Sequence, residues 1–468
     1  MLTNYAKFSR NEFSALFNET NLHNINESTI TSGVSTDSRT IEKNNLFIGI
    51  KGEDFDGSDK ALEALSKGAS VVIINDIFYN EHFIDFLSKP VITVRNTIAA
   101  LGILSQHHRR KFQNPVIAIG GSNGKTTTKE IASHILSTQL RVLKTSQNFN
   151  NQIGVPLTLL QLSDEYDIAV IEIGTNEPGE IAKLSMIVEP THGLITNIGK
   201  EHLEKLIDLD GVEMEETFLL GFLKKNGGKA FINYDDERLR DYYNMMDHKI
   251  SYGTIEGSDV NASIEIGTDL HPKLRFIVDG KEHLIQMQTH GYVSGFNALA
   301  SITIAMDFNL SLNKIKSAVK SYKTDISHGY ARMGVIYEKE IMIINDCYNA
   351  NPDSMVAALD SLKNLKSKRN KIAVLGDMRE LGESSAIEHN RILALAGESA
   401  DKVFITGPEM RTAFESSKSV NVIYNENKSH LVHNLSSVIG KGDSILVKGS
   451  RGMQMEKVIN ELLEFLKK

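Results

Sequence analysis

Short apolar runs alternate with segments of helical periodicity along almost the whole chain, and that alternation predicts α/β domains with largely parallel sheets. Strands and turns are expected around STDSRT and NNLFIGIKGEDFDG, then a helix through KALEALSKGA and a strand at VVIIN. Residues 97–112 carry a helical pattern ending in the basic stretch 107–111, and Pro115 opens a new strand at 116–119. Further strands are expected at 168–173, 193–198 and 230–233, a small β excursion over 253–280, and a helix at 297–306. Residues 324–332 (TDISHGYAR) read as a hinge, after which strands at 340–345, 371–375, 403–406 and 444–447 alternate with helices. The organisation expected is three α/β domains: a small one over 1–96, a central parallel-sheet domain over 97–326 and a Rossmann-like domain over 327–468.

Composition narrows this little, because 41% hydrophobic and 24% charged residues are ordinary for globular proteins. Charge is more informative. A formal net charge of -8 argues against nucleic-acid binding, which favours a basic surplus. The single cysteine, Cys347, has no partner for an internal disulfide, which fits a reducing compartment. No run approaches 18 consecutive apolar residues, and the start of the chain lacks an apolar signal-peptide core. A cytoplasmic protein with no membrane insertion is expected.

The first chemical signal is IAIGGSNGKTTT at 117–128. A β-branched strand enters a glycine-rich turn and leaves into a helix, so backbone N–H groups and the helix N-terminus can cradle phosphate. Gly121, Ser122, Asn123, Gly124, Lys125, Thr126 and Thr127 form the candidate P-loop, shortened because Ile119 stands five before Gly124. Lys125 is expected to neutralise the β/γ phosphates of ATP, and the Thr126 hydroxyl to reach Mg2+. Glu172, ending the apolar run IAVIEI, sits where a nucleotide-bound cation expects a second anchor. His202 follows GLITNI at the same sheet end. The acidic run Glu213, Glu215, Glu216 reads either as a solvated face or as part of a metal site. Asn148, Asn150 and Asn151 in TSQNFNNQIG suit a polar substrate, or an ordinary loop.

Together these segments resemble the Mur ligase family, ATP-dependent amide-forming enzymes of peptidoglycan assembly, over nearly the whole chain. GGSNGKTTTKE is similar to the family's phosphate loop, NFNNQIGVPLTLL and IEIGTNEPGEI to the two segments after it, and NIGKEHLE to the segment bearing its metal-associated histidine. STDSRTIEKNNLFIGIKGEDFDG, INDCYNANPDSM, LGDMRELGESSAIEHN and ILVKGSRGMQME resemble the members that add a D-Ala-D-Ala dipeptide. The resemblance implies a UDP-binding first domain, a P-loop ATPase centre and a C-terminal ligase domain. It also implies ligation of D-Ala-D-Ala to UDP-N-acetylmuramoyl-tripeptide through an acyl phosphate, with ATP and Mg2+, by a monomer. Another Mur-type amino-acid ligase, or a degenerate nucleotide-binding relative, are the alternatives.

Residue by residue, the resemblance implies catalytic roles for Lys125, Glu172 and His202, and a metal set of Thr126, Glu172, His202 and Glu216. Ser35, Thr36, Asp37, Ser38, Arg39, Lys51 and Gly52 would hold the UDP-sugar. Asn297 and Asn349 would lie near adenine, Asp346 near ribose and Arg332 near the nucleotide. Lys448, Ser450 and Arg451 would face the cleft. The chain departs from the family at three places. Glu216 stands where a carbamylated lysine is usual, Val293-Ser294 where a His-Asn or Tyr-Asn pair is usual, and Arg332 lies outside the usual Gly-Arg form.

Overall fold

The computed structural model describes residues 4, 6–52, 55–278, 280–324, 331–417 and 420–467. Of the hinge expected at 324–332, residues 325–330 lie outside the described residues. Three main sheets follow one another along the chain. The first has five strands in the order Leu22–His23, Val91–Val94, Val71–Asn75, Leu46–Ile48 and Val34–Ser35, parallel except at the Leu22–His23 edge. Its packing continues into the helix Thr97–Arg109, whose Ala100, Leu101 and Leu104 join the same apolar core as Val71, Ile73 and Ile92.

The central sheet has nine strands. From one edge these are Val142–Lys144, Ile168–Glu172, Val116–Gly120, His192–Ile195, Lys229–Asn233, His248–Gly253 and Val260–Ile266, all parallel. Val116–Gly120 and Ile168–Glu172 are buried at every position, as expected of parallel strands covered on both faces. The excursion expected over 253–280 is the antiparallel end of this same sheet, completed by Pro272–Val278 and Lys281–Gln286. The sheet is therefore mixed rather than wholly parallel. Its terminal strands have one face against the core and one in water, hence their shorter, more polar pattern.

Two expected boundaries shift for physical reasons. The strand expected at 193–198 is His192–Ile195, because Asn197 leaves the sheet to bind the phosphate loop. The helix expected at 297–306 is Tyr292–Asp307, and its exposed first turn, with Tyr292 and Val293, carries no core-facing periodicity to read.

The third sheet runs Gly334–Glu338, Ile341–Asp346, Ser444–Lys448, Lys371–Gly376, Lys402–Thr406, Val422–Asn425. The first pair is an antiparallel hairpin and the remainder is parallel. Among the described residues, no helix is long and apolar enough to cross a membrane.

Candidate active site

The strand Val116–Gly120 delivers the chain into a turn that only glycine accommodates. Gly121 has φ +105, and a Cβ there would meet Thr196 Oγ1 at 2.4 Å. Gly124 has φ +89 and caps the helix Lys125–Leu136, and a Cβ there would meet the Asn297 amide oxygen at 2.6 Å. Asn297 thus closes against the end of the phosphate loop. The loop is braced from the next strand's exit: Asn123 N donates to Asn197 Oδ1 at 3.1 Å, Asn197 Nδ2 donates back to Asn123 O at 2.8 Å, and Ser122 N donates to Asn197 O at 2.9 Å. Sequence reasoning missed Asn197, although its place two residues past an apolar strand at the loop's end of the sheet was readable.

Lys125 folds back over its own loop, donating to Gly121 O and lying 3.4 Å from Glu201 Oε2. Burial works against its charge, but Glu201, Glu216 and Glu172 outweigh burial and hold the ammonium above its ordinary pKa. Thr126 Oγ1 donates to Glu172 Oε1 at 3.0 Å, and Asn150 Nδ2 donates to the same oxygen at 3.0 Å. Arg332, at the end of the segment expected as a hinge or connection, has its Nη2 3.2 Å from Thr126 Oγ1 and its guanidinium 4.2 Å from the Tyr348 ring centroid. Lys129 was also missed. It sits four residues after Lys125 on the same helix face, is wholly buried, donates to Gln147 O at 2.8 Å and lies 3.4 Å from Glu172 Oε2.

The acidic run divides three ways. Glu213 is paired with Arg238 near the surface. Buried Glu215 accepts from Gly179 N at 2.6 Å and Ile181 N at 2.7 Å, closing the start of the helix Glu180–Val188. Glu216, wholly buried, accepts from Gly121 N at 2.7 Å and so belongs to the phosphate loop. Burial pushes its carboxyl up to about 8, with Glu201 and Glu215 adding to the push while Lys125 and the Gly121 N–H oppose it. The solvated-face reading of the run is therefore corrected at Glu215 and Glu216.

Three buried carboxylates, Glu172, Glu201 and Glu216, each keep one oxygen with no hydrogen-bond partner. The Glu172 oxygen lies 3.4 Å from Lys129 Nζ, which leaves Glu201 Oε1 and Glu216 Oε1 as the unsatisfied oxygens, of the kind a hard cation would use. His202 takes left-handed backbone (φ 48) at the start of the helix Leu203–Leu206, with Nε2 3.9 Å from Glu201 Oε2 and Nδ1 2.6 Å from Glu380 Oε2. The hydrogen bond from His202 holds the Glu380 carboxyl below its usual range.

The C-terminal domain closes one wall. Asn351 Nδ2 donates to Asn123 Oδ1 at 2.9 Å, Lys200 N donates to Asp353 Oδ2 at 2.7 Å, and Lys200 Nζ pairs with Glu388 at 2.5 Å. Asn351 and Asp353 come from YNANPDS and Glu388 from IEHN, so two of the segments that looked specific in sequence meet the phosphate loop or Lys200 beside it. Lys448, expected to face the cleft, is buried. It is 2% exposed, its Nζ bonded to Asp346 Oδ2 at 2.6 Å and to Asn349 O at 2.9 Å across adjacent parallel strand ends. Ser450 is buried with its hydroxyl unpartnered, and exposed Arg451 pairs with Glu456. Cys347 is buried with its thiol against Val447 O, and burial raises its pKa.

The first domain's candidates form a separate group. Asp37 caps the turn at Ser38–Thr40 and pairs with Arg39 at 2.7 Å, and Ser35 Oγ bonds Thr40 Oγ1 at 3.2 Å. Lys51 N donates to Thr97 Oγ1 at 3.0 Å, and Gly52 N to Phe55 O at 2.9 Å. Exposed Asn148 has its carbonyl bonded by Asn150 N, whereas Asn151 Oδ1 accepts from Ile153 N and Gly154 N and is used locally. Thr127 lies part-buried in the first turn of the phosphate-loop helix.

A parallel sheet whose strand ends carry a glycine loop, a lysine and converging carboxylates defines an ATP-consuming enzyme of the three-domain ligase class. Family comparison agrees: the chain matches the Mur ligase family catalytic domain at residues 31–109, the Mur ligase middle domain at 119–305 and the Mur ligase glutamate ligase domain at 331–451. The chain belongs to the Mur ligase family. It is 33% identical over 446 residues to the UDP-N-acetylmuramoyl-tripeptide–D-alanyl-D-alanine ligase of Bacillus subtilis, covering 94% of each chain. The Escherichia coli enzyme of the same name is 31% identical, with 92% of this chain and 93% of that one covered. Among solved structures, MurF from Acinetobacter baumannii superposes with a TM-score of 0.82 at 30% identity, covering 92% of this chain and 93% of that one. MurF ligase from Thermotoga maritima in complex with ADP gives 0.83 at 26% identity, covering 93% and 97%.

Proposed function

We propose that this enzyme joins D-Ala-D-Ala to UDP-N-acetylmuramoyl-tripeptide, releasing ADP and phosphate, as a cytoplasmic step of peptidoglycan precursor synthesis. The observation that carries the reading is the contact of Asn351, Asp353 and Glu380 with the phosphate loop and His202 segment. It supports the reading because these dipeptide-ligase-like segments touch the phosphate loop, Lys200 and His202.

Amide formation from a free carboxylate is uphill, so the carboxylate is first activated. A tripeptide carboxylate oxygen attacks the γ-phosphorus of ATP, the bond to the β-bridging oxygen breaks, and ADP leaves. The dipeptide amine then attacks the acyl carbon, phosphate departs and the nitrogen loses its proton. Lys125 and the loop N–H groups stabilise charge on the transferring phosphoryl group. Asn297 closes the loop's helical end, and Arg332 adds positive charge beside Thr126. The C-terminal wall excludes water that would hydrolyse the acyl phosphate.

Among the described residues no three His, Cys, Asp or Glu side chains gather as a metal cluster, but the Thr126–Glu172 pair suits Mg2+, which takes one or two carboxylates together with substrate phosphates and water. Thr126, Glu172, Glu216 and His202 would hold it, and it would offset charge on the phosphates. Glu216 serves there as a native carboxylate, with no lysine modification required. Ser35, Thr36, Asp37, Ser38, Arg39, Lys51 and Gly52 would receive the UDP-sugar.

The test is ATP-dependent phosphate release by purified protein with Mg2+ and the UDP-tripeptide, with and without D-Ala-D-Ala, the product weighed by mass spectrometry. Dipeptide-dependent release, with a product heavier by one dehydrated dipeptide, is expected. Turnover with a single amino acid instead would assign another Mur-type ligation. ATP binding with no turnover on lysine- or diaminopimelate-containing tripeptide would mark a non-catalytic relative.

A further inference from the structure

Glu201 is not among the residues proposed to hold the metal, yet it is a buried charge beside the phosphate-loop lysine. It is 6% exposed, its Oε2 lies 3.4 Å from Lys125 Nζ, and its Oε1 has no hydrogen-bond partner. Its surroundings leave it dependent on Lys125. The neighbouring carboxylates have other support: Glu172 lies against Lys129, Thr126 and Asn150, and Glu216 holds the Gly121 N–H. Among the described residues, Glu201's other ion-pair contact is His202, at 3.9 Å and engaged by Glu380 on its far nitrogen.

Lys125 is wanted in two places. With the loop as described, its ammonium is turned back on Gly121 O and toward Glu201. To meet phosphate it must turn outward, and Glu201 then becomes a buried carboxylate stripped of its counter-charge. Removing one partner of a buried ion pair is strongly unfavourable unless another cation arrives. A nucleotide carrying its own divalent cation brings that replacement, and a bare nucleotide does not.

We infer that Glu201 is a positioning residue that holds Lys125 back on the loop and so makes the site discriminate against metal-free nucleotide in favour of the magnesium complex. The inference rests on the reading of the loop as an ATP site. It concerns selection of the nucleotide's charge state rather than the ligation chemistry, and it needs no contact between Glu201 and substrate.

The test measures ADP binding calorimetrically, once in EDTA and once in saturating Mg2+, for wild type and Glu201→Gln. The readout is the ratio of the two dissociation constants, so partial loss of fold that weakens both arms alike cancels. Glu201→Gln is expected to lower that ratio about fivefold or more, mainly by tightening the metal-free arm. Glu201→Asn, which also removes the charge, is expected to follow in the same direction. In a Lys125→Met background the effect of Glu201→Gln is expected to shrink below about twofold, because the two residues act as a pair. A wild-type ratio retained by both variants overturns the inference and leaves the ATP site standing. Wild-type protein that binds ADP in neither condition overturns both.

Discussion

The phosphate loop and the 35–39 segment of the first domain are both expected to hold phosphate-bearing ligands, but they are built differently. At the loop, charged groups are fixed by distant parts of the chain: Lys125 by Glu201, Glu172 by Lys129 and Thr126, Glu216 by Gly121 N. In the first domain Arg39 is 82% exposed and pairs with Asp37, two residues away. Surface pairs of that kind contribute about 0–1 kcal/mol and release their partners readily. The nucleotide end is therefore assembled before ligand arrives, whereas in the segment proposed for the sugar-nucleotide the Arg39 charge is held by a surface pair. The contrast suits the chemistry, since phosphoryl transfer depends on pre-positioned charge and a remote handle only on affinity.

Four substitutions would break or sharpen that contrast, in decreasing order of effect. Lys125→Met is expected to lower dipeptide-dependent phosphate release by about 10^3-fold or more with folding intact, the loss reported for single charge-stabilising groups in phosphoryl transfer. Lys448→Met strips the counter-charge from buried Asp346, and denaturant unfolding is expected to show about 3–5 kcal/mol lost from the C-terminal domain. A variant that unfolds normally but raises KM for D-Ala-D-Ala would instead return Lys448 to the cleft. Glu216→Gln is expected to lower kcat by roughly 10–100-fold and raise the Mg2+ needed for half-maximal rate, the range seen when groups around a metal are altered. On the proposed role of Glu216, removing bicarbonate from wild-type protein is expected to change nothing. Arg39→Ala, the mildest, is expected to raise KM for the UDP-sugar severalfold without moving the melting temperature. A large loss of stability there would contradict the picture of a recruitable surface.

Much of this was legible in sequence because the informative residues are local. The loop 120–127 announces itself through glycine, lysine and threonine in fixed order, and Glu172 through the apolar strand it ends. The sheet order was less legible, since parallel pairings join segments far apart, such as Val116–Gly120 with His192–Ile195. Side-chain destinations were least legible. Glu213, Glu215 and Glu216 look alike in a row, yet one turn of helix sends them to a surface arginine, a helix start and the phosphate loop. Glu201 and Lys129 were hidden for the opposite reason: a charged residue beside a conspicuous one reads as solvated until burial is known. Lys448 was expected to face the cleft, and its ion pair with Asp346 follows from the strand register Asp346↔Lys448, which joins segments about a hundred residues apart.

The central claim is that the buried carboxylates beside the phosphate loop await a cation brought with the nucleotide. A crystal grown with ADP and Mn2+, with anomalous scattering used to find the metal, tests it most directly. The account predicts Mn2+ beside Thr126 and the carboxylates of Glu172 or Glu216, with the Lys125 ammonium turned away from Glu201 toward phosphate. Phosphate bound on the loop with no metal at those carboxylates, and Lys125 still paired with Glu201, would contradict it.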